Sequence, residues 1–409
     1  MNNYKNREVF SEILKLIDTP ESIVIHGARQ VGKTTLMKMT IEKLEKNYNS
    51  DIFYFDLEKE EFLDLCNQGV EEVIKYIKSK KQKKARVFLF IDEIQYLDNP
   101  TSLIKQFYDH HKDEFKLIVS GSSSFAIKSK FKDSLVGRTI DFEIFGLSFN
   151  EYLDFKDLNY DLSSNSHLIN QELSSHFSDY LLYGSYPQVV LADNIEMKEL
   201  YLNNIIEKYI YRDIKDLTEI KDLEKFNKLI KFLAAQAGNL VNINELADSL
   251  DMARQTIDQY LFILEQTYII KLIRPFYKNI RSELTKMPVV YFEDLGILNI
   301  LRNKELSNKI DGHVFENSIF NYLRRKTKTK NIYFWRTTNK QEVDFVIKYM
   351  KLTAIEVKYS YRDKYMKNLQ YFSNNYQTEN NYCVTMKKGD TKLKNIKQLY
   401  PWQIEKLEF

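Results

Sequence analysis

Residues 22–36 read Ser22-Ile23-Val24-Ile25-His26-Gly27-Ala28-Arg29-Gln30-Val31-Gly32-Lys33-Thr34-Thr35-Leu36. A β-favouring run leads into Gly27, the pattern G-x-x-x-x-G-K-[ST] follows, and a helical pattern continues to about residue 48. Strand before and helix after is the context a phosphate-binding loop requires. Gly27 and Gly32 let the backbone turn tightly and approach an anion. A helix starting near Lys33 aims free N–H groups and its positive dipole end at phosphates. Lys33 is placed to reach the β- and γ-phosphates of a nucleotide, and the Thr34 hydroxyl to ligate Mg²⁺. Arg29 and Thr35 join Gly27, Gly32, Lys33 and Thr34 as nucleotide-binding candidates. ATP and Mg²⁺ are therefore the expected cofactors.

Around this loop the chain reads as alternating helices and strands. Residues 6–17 put Val9, Phe10, Ile13, Leu14 and Ile17 on one helical face. A strand is expected at 51–56, a polar helix over 60–82, and a buried parallel strand at 86–91. That last strand ends in Asp92-Glu93, about 60 residues after the loop, the pattern of a Walker B motif. Asp92 is expected to hold Mg²⁺ through water. Glu93 is the candidate catalytic base for the attacking water, and Lys33, on the phosphates, is a second catalytic candidate. The next strand, 115–119, leads to Ser120-Gly121-Ser122-Ser123-Ser124. Ser120 or Ser122 is placed to sense the γ-phosphate, or else caps a helix. Arg138, before a strand at 139–144, is a candidate for stabilising transition-state charge or for a structural ion pair.

Composition narrows the class. The 409 residues are 44% hydrophobic and 29% charged, with a net charge of +3. Residues 321–409 hold 19 Lys and Arg against 8 Asp and Glu, or +11, which leaves −8 on the first 320. A basic end on an acidic body suggests an anionic partner there, DNA first, although a solvated Lys-rich surface has the same composition. Two distant cysteines, Cys66 and Cys383, exclude a disulfide scaffold and suit a reducing cytosol, so a cytoplasmic location is expected. No apolar signal core follows Met1-Asn2-Asn3-Tyr4-Lys5, and no run reaches membrane-spanning length, so no membrane partner is expected.

Several stretches together resemble the AAA-type P-loop ATPases of bacteria and archaea, and one bacterial branch in particular. They are Gly27 to Thr34, Gly121-Ser122-Ser123, Val136-Gly137-Arg138, Phe145 to Tyr152, Tyr183-Gly184-Ser185-Tyr186-Pro187 and Tyr211-Arg212-Asp213-Ile214. Ser185 stands where that branch often has a second Gly. The resemblance implies an α/β fold: an AAA-type parallel sheet over 1–147, then a helical lid over 148–217 behind the nucleotide. Arg212 in that lid would face a nucleotide, a neighbour or a surface salt bridge.

Residues 218–292 change character. A helix at 225–237, a short helix from Ile243 to Leu250 capped by Asn242, and a third from about Ala253 to Gln266 precede two strand-like runs, 268–273 and 287–292. This order resembles a winged helix, with Arg254, Gln255, Thr256 and Gln259 at the start of its groove-reading helix. Such a module binds DNA or docks a protein partner.

Within 293–409, two alternating runs flank residues 349–352: Gln341 to Lys348 and Thr353 to Lys358. A turn centred near 350 would pair Asp344 with Glu356 and Glu342 with Lys358, all on one face. Opposed carboxylates need a cation or a proton between them. A divalent metal on Asp344 and Glu356 is expected, with Lys358 as a catalytic cation beside it; a surface hairpin with a Glu342–Lys358 ion pair is the alternative. The order helix 312–326, strands 331–336, 341–348 and 353–359, helix 362–374 and strand 380–386 resembles the restriction-endonuclease-like, PD-(D/E)XK, fold. That resemblance adds Glu316 as a further metal-site acid and Gln370 as a polar position. It leaves open whether the site cuts DNA or is vestigial.

Overall fold

The computed structural model describes residues 4–122, 135–213, 220, 222–277, 287–303, 311–327 and 331–407. Ser123, Ser124 and Ile214, and the side chain of Arg212, lie outside that description. Internal contacts divide the chain into two compact units, Met1–Leu147 with Gln266–Tyr268, and Ser148–Glu265 with Ile269–Phe409.

The first unit is built on five strands: β1 (Ser22–Gly27), β2 (Ile52–Asp56), β3 (Val87–Asp92), β4 (Phe115–Gly121) and β5 (Thr139–Ile144). They pair in the order β2-β3-β4-β1-β5, all parallel. Every residue of β1, β3 and β4 is buried, as central strands covered on both faces require. Parallel strands of one sheet end at one edge, and Gly27, Asp92 and Gly121 stand there at the ends of β1, β3 and β4. Ligands of open α/β sheets gather at that edge. The helix Lys33–Asn47 follows the loop after β1. The helix expected over 60–82 is two, Glu60–Asn67 and Val70–Lys80. Gly69 separates them with φ 113°, a backbone state that a continuous helix cannot include.

Arg138 stands at the other edge. Its carbonyl accepts from Ser22 N (2.9 Å), at the first residue of β1, and the strand then runs roughly 17 Å to Gly27 at ~3.3 Å per residue. Its guanidinium pairs with Asp109, at 2.7 Å from Nε to Oδ1 and 3.2 Å from Nη2 to Oδ2. Of the two readings of Arg138, the structural ion pair is the one formed among the described residues, and the residue holds two elements together far from the loop.

The second unit begins with helices Phe149–Phe155 and His167–Tyr183, the first opened by a Ser148/Glu151 capping box. A helix at Ile195–Asn204 runs into a π-helical stretch, Ile205–Asp213. Then come Leu223–Ala235, Ile243–Leu250 and Arg254–Gln266, with Asn242 accepting from Asn244 N and Glu245 N as the expected cap. Two short strands, β6 (Ile270–Ile273) and β7 (Val289–Phe292), pair antiparallel. Helices Leu295–Asn303 and Gly312–Lys326 lead to a mixed sheet of β8 (Ile332–Arg336), β9 (Glu342–Lys348), β10 (Leu352–Val357), β11 (Asn380–Val384) and β12 (Lys397–Leu399), in the order β12-β11-β10-β9-β8. β8–β9 and β9–β10 are antiparallel, whereas β10–β11 and β11–β12 are parallel. The edge strand β12 is an addition to the expected order; three residues carry no readable alternation.

The Tyr183–Pro187 stretch has a structural explanation. Asp294 is buried, and its Oδ2 accepts from Ser185 N (2.7 Å) and Ser185 Oγ (2.8 Å), while Oδ1 accepts from Ile297 N (3.0 Å). Burial raises the Asp294 pKa, and these donors pull it back. Ser185 supplies two of them, and its hydroxyl is the one a glycine would lack. Gly184, at φ 80°, packs so closely that a Cβ would run into Asp294 Oδ1 and come within 2.6 Å of Gly296 N. Gly184→Ala should therefore destabilise the protein by about 2–4 kcal/mol in urea unfolding, from overpacking and positive φ. A loss below about 0.5 kcal/mol would contradict this packing.

Candidate functional site

The phosphate-binding loop is shaped by close packing. A Cβ on Gly27 would run into the Ile144 carbonyl of the neighbouring β5, so only glycine lets the chain leave β1 there. Gly32 caps the following helix in the left-handed region, φ 99°. Beneath the loop lies Arg7, a buried cation that the sequence reading did not single out. Its Nη1 donates to Val31 O (2.7 Å) and its Nη2 to Phe145 O (2.9 Å), which ties the loop to the segment after β5. Lys33 is 5% exposed and folds back on its own loop, donating to Gly27 O (3.0 Å) and Ala28 O (2.8 Å). Burial pushes its pKa down to about 8 against the pull of Glu93 and Asp92. Arg29 pairs with Glu58 at 3.1 Å on the surface, and Thr35 is exposed.

Asp92 is the centre of the site. It is buried, and four donors meet its carboxylate. Thr34 Oγ1 (2.8 Å) and Tyr54 OH (2.7 Å) reach Oδ2; Glu93 N (3.1 Å) and Ser120 Oγ reach Oδ1. The two expected Mg²⁺ groups, Thr34 and Asp92, thus come together from elements 58 positions apart. A hydroxyl beside a buried carboxylate is a hard-oxygen donor set that suits Mg²⁺. Ser120, with no exposed surface, is held against Asp92 and braces it. Glu93 adopts the left-handed region, φ 56°. Its carboxylate accepts from Gln95 Nε2, and Gln95 bonds Ser122 in turn through Oγ (3.0 Å) and N (3.2 Å). Ser122 therefore acts through Gln95 on the orientation of Glu93. Tyr54, Gln95 and Arg7 were missed because each acts across the fold, and no local pattern marks them.

The second cluster lies in the other unit. The β9–β10 register runs from Leu352↔Lys348 to Ile355↔Phe345, the frame expected for a hairpin that brings Asp344 and Glu356 to facing positions. Val357 N donates to Asp344 Oδ2 (2.7 Å). Lys358 Nζ lies 3.2 Å from Asp344 Oδ2 and 2.7 Å from Glu356 Oε1. Glu316 accepts from the buried Tyr291 hydroxyl (2.6 Å). Glu342 is correspondingly not the partner of Lys358; it faces Arg336 across β8–β9 at 3.7 Å. Gln370 is half-buried on the helix Lys367–Tyr376.

Among the described residues no three His, Cys, Asp or Glu side chains are placed to hold a metal ion. The Lys358 ammonium bridges Asp344 Oδ2 and Glu356 Oε1 in this arrangement. Negative charge is nonetheless in excess. Burial and then Asp344 raise the Glu356 pKa to about 8. Burial and Asp344 also raise Glu316 well above its ordinary value. Lys358 is disfavoured by burial, yet Asp344 and Glu356 together hold its proton more tightly than usual. Among the described residues Glu356 Oε2 has no hydrogen-bond partner.

Residues 19–153 match the family model described as an AAA domain. Residues 174–308 and 311–404 match two domains of unknown function, DUF8612 and DUF4143. The chain is 28% identical over 352 residues to an uncharacterized protein of Methanocaldococcus jannaschii, covering 84% of this chain and 76% of the relative. An uncharacterized protein of Haemophilus influenzae is 24% identical over 343 residues, with 82% and 81% covered. Among solved structures, AMPPCP-bound DnaA from Aquifex aeolicus is similar at 15% identity and a TM-score of 0.29, covering 65% of this chain and 89% of that one; a superposition that loose carries no argument. The AAA-domain match and the loop geometry agree on an AAA-type P-loop domain, and they support nucleotide binding and hydrolysis. No helix among the described residues is long and apolar enough to cross a membrane.

The raised Glu356 pKa has a consequence for stability. A carboxyl whose folded pKa lies above its unfolded value contributes stability that is full below the unfolded pKa, near 4.5, and lost as pH rises through about 8. Wild-type Tm should therefore fall between pH 5 and 8.5 more than that of Glu356→Gln, and the variant should be the more stable at pH 8.5. Parallel Tm profiles for the two proteins would contradict the assignment.

Proposed function

We propose that this chain is a Mg²⁺-dependent ATPase whose nucleotide state governs a second unit that binds nucleic acid. The observation that carries the reading is the convergence of Lys33, Thr34, Asp92 and Glu93 at one edge of the parallel sheet. Thr34 would ligate the metal, and Asp92 would hold its water. When bound, Mg²⁺ neutralises phosphate charge. Lys33 exchanges the Gly27 and Ala28 carbonyls for the β- and γ-phosphates. Glu93, oriented by Gln95, takes the proton of the attacking water.

For the second unit, three features support nucleic acid. The three helices and hairpin over 223–292 have the order of a winged helix, and Arg254, Gln255 and Gln259 are exposed on its third helix. The helix Gly312–Lys326 followed by β8–β12 has the order of a restriction-endonuclease-like fold. The basic excess lies in the same region. One observation favours a second reading, a nucleotide-dependent switch or docking scaffold with a vestigial nuclease fold: Lys358 occupies the place between the two carboxylates.

Two experiments test these readings. Lys33→Ala should lose ATP binding in equilibrium titration, and Glu93→Gln should bind ATP but lose about 10²–10⁴-fold in kcat. Wild-type hydrolysis by Glu93→Gln would sink the catalytic assignment.

For the partner, the intact chain should bind a DNA oligonucleotide, with log affinity falling against log salt at a slope of roughly −3 or steeper, as counterions are released. A flat salt dependence, or no binding at low salt, would favour the docking scaffold.

A further inference from the structure

The Asp92 carboxylate has no lone-pair direction to spare. An ionised carboxylate accepts about four hydrogen bonds, and Thr34, Tyr54, Ser120 and the Glu93 N–H supply four. If Asp92 is to hold a metal-bound water, one donor must leave. Thr34 need not, because its oxygen can face a metal while its proton stays on Oδ2. The Glu93 N–H is fixed backbone, directly attached to the next residue. Ser120 is fully buried on the central strand β4. Tyr54 differs on each count. It lies on the edge strand β2, its side chain is half-buried, and it bonds Oδ2, the oxygen shared with Thr34.

We infer that Tyr54 is a latch on Asp92: its hydroxyl competes with metal-bound water for Oδ2 and must release before Mg²⁺·nucleotide is fully held. It is a positioning residue, acting on the site through Asp92 and touching no substrate. The inference rests on the reading of this unit as a Mg²⁺-dependent nucleotide site.

The test is the Mg²⁺ requirement for binding, not turnover. A fluorescent ATP analogue is titrated against wild type and Tyr54→Phe, in EDTA and then at rising Mg²⁺. Tyr54→Phe keeps the ring and removes only the hydroxyl. The Mg²⁺ concentration giving half-maximal enhancement of binding should fall about three- to tenfold, the net worth of one typical hydrogen bond. Affinity in EDTA should not change, which also shows that the variant is folded. An unchanged or higher Mg²⁺ requirement, with binding in EDTA intact, would overturn the latch while leaving the nucleotide site standing. Equal weakening in EDTA and in Mg²⁺ would overturn it too, by showing that Tyr54 merely supports the fold. Absence of analogue binding by the wild type would remove the nucleotide reading and the latch with it.

Discussion

One buried carboxylate organises the first unit. Asp92 terminates a fully buried strand, where an uncompensated charge would be costly, so it must be surrounded by donors. Those donors come from the start of the helix after the loop, from both neighbouring strands and from the next backbone N–H. Satisfying this charge fixes the spacing of β2, β3 and β4 against the loop. It also brings Thr34 to the place where a nucleotide's metal would lie. The constraint that stabilises the sheet and the constraint that builds the site are the same one.

Lys33 shows the complementary economy. Its ammonium is buried and satisfied by two carbonyls of its own loop, Gly27 and Ala28. An anion can replace those carbonyls with little rearrangement of the backbone, since the loop is already braced by Arg7 from below. Glu93, held by Gln95 in a left-handed backbone state, is likewise set in place before any ligand arrives. A left-handed residue other than Gly costs roughly 1–2 kcal/mol, a cost concentrated at functional positions.

Much of this was legible in the sequence, for physical reasons that differ by residue. Gly27, Gly32, Lys33 and Thr34 are dictated by backbone geometry and phosphate chemistry within eight positions, so a local pattern reveals them. The Asp344–Glu356 pairing followed from the two-residue period of strands and a turn near 350, and the register agrees. Arg138 makes the structural ion pair that was one of its two readings, with Asp109, because sequence proximity to a glycine says nothing about which sheet edge a residue reaches. Lys358 chose Asp344 and Glu356 over Glu342 because the latter sits where β9 faces β8 and Arg336. Arg7 reaches partners 24 and 138 positions away, and Tyr54 reaches one 38 away. No periodicity or motif encodes such contacts. The break at Gly69 was visible as a glycine but weaker than the polar helical pattern around it.

The most direct test of the central claim is a crystal structure of the chain with a non-hydrolysable ATP analogue and Mn²⁺, using anomalous scattering to locate the ion. The account predicts one ion within ligand distance of Thr34 Oγ1, with Asp92 in its outer shell. It also predicts that Lys33 Nζ has moved from the Gly27 and Ala28 carbonyls to the β- and γ-phosphates. An ion or nucleotide bound elsewhere, or a bound nucleotide with Lys33 still on its own loop, would contradict it.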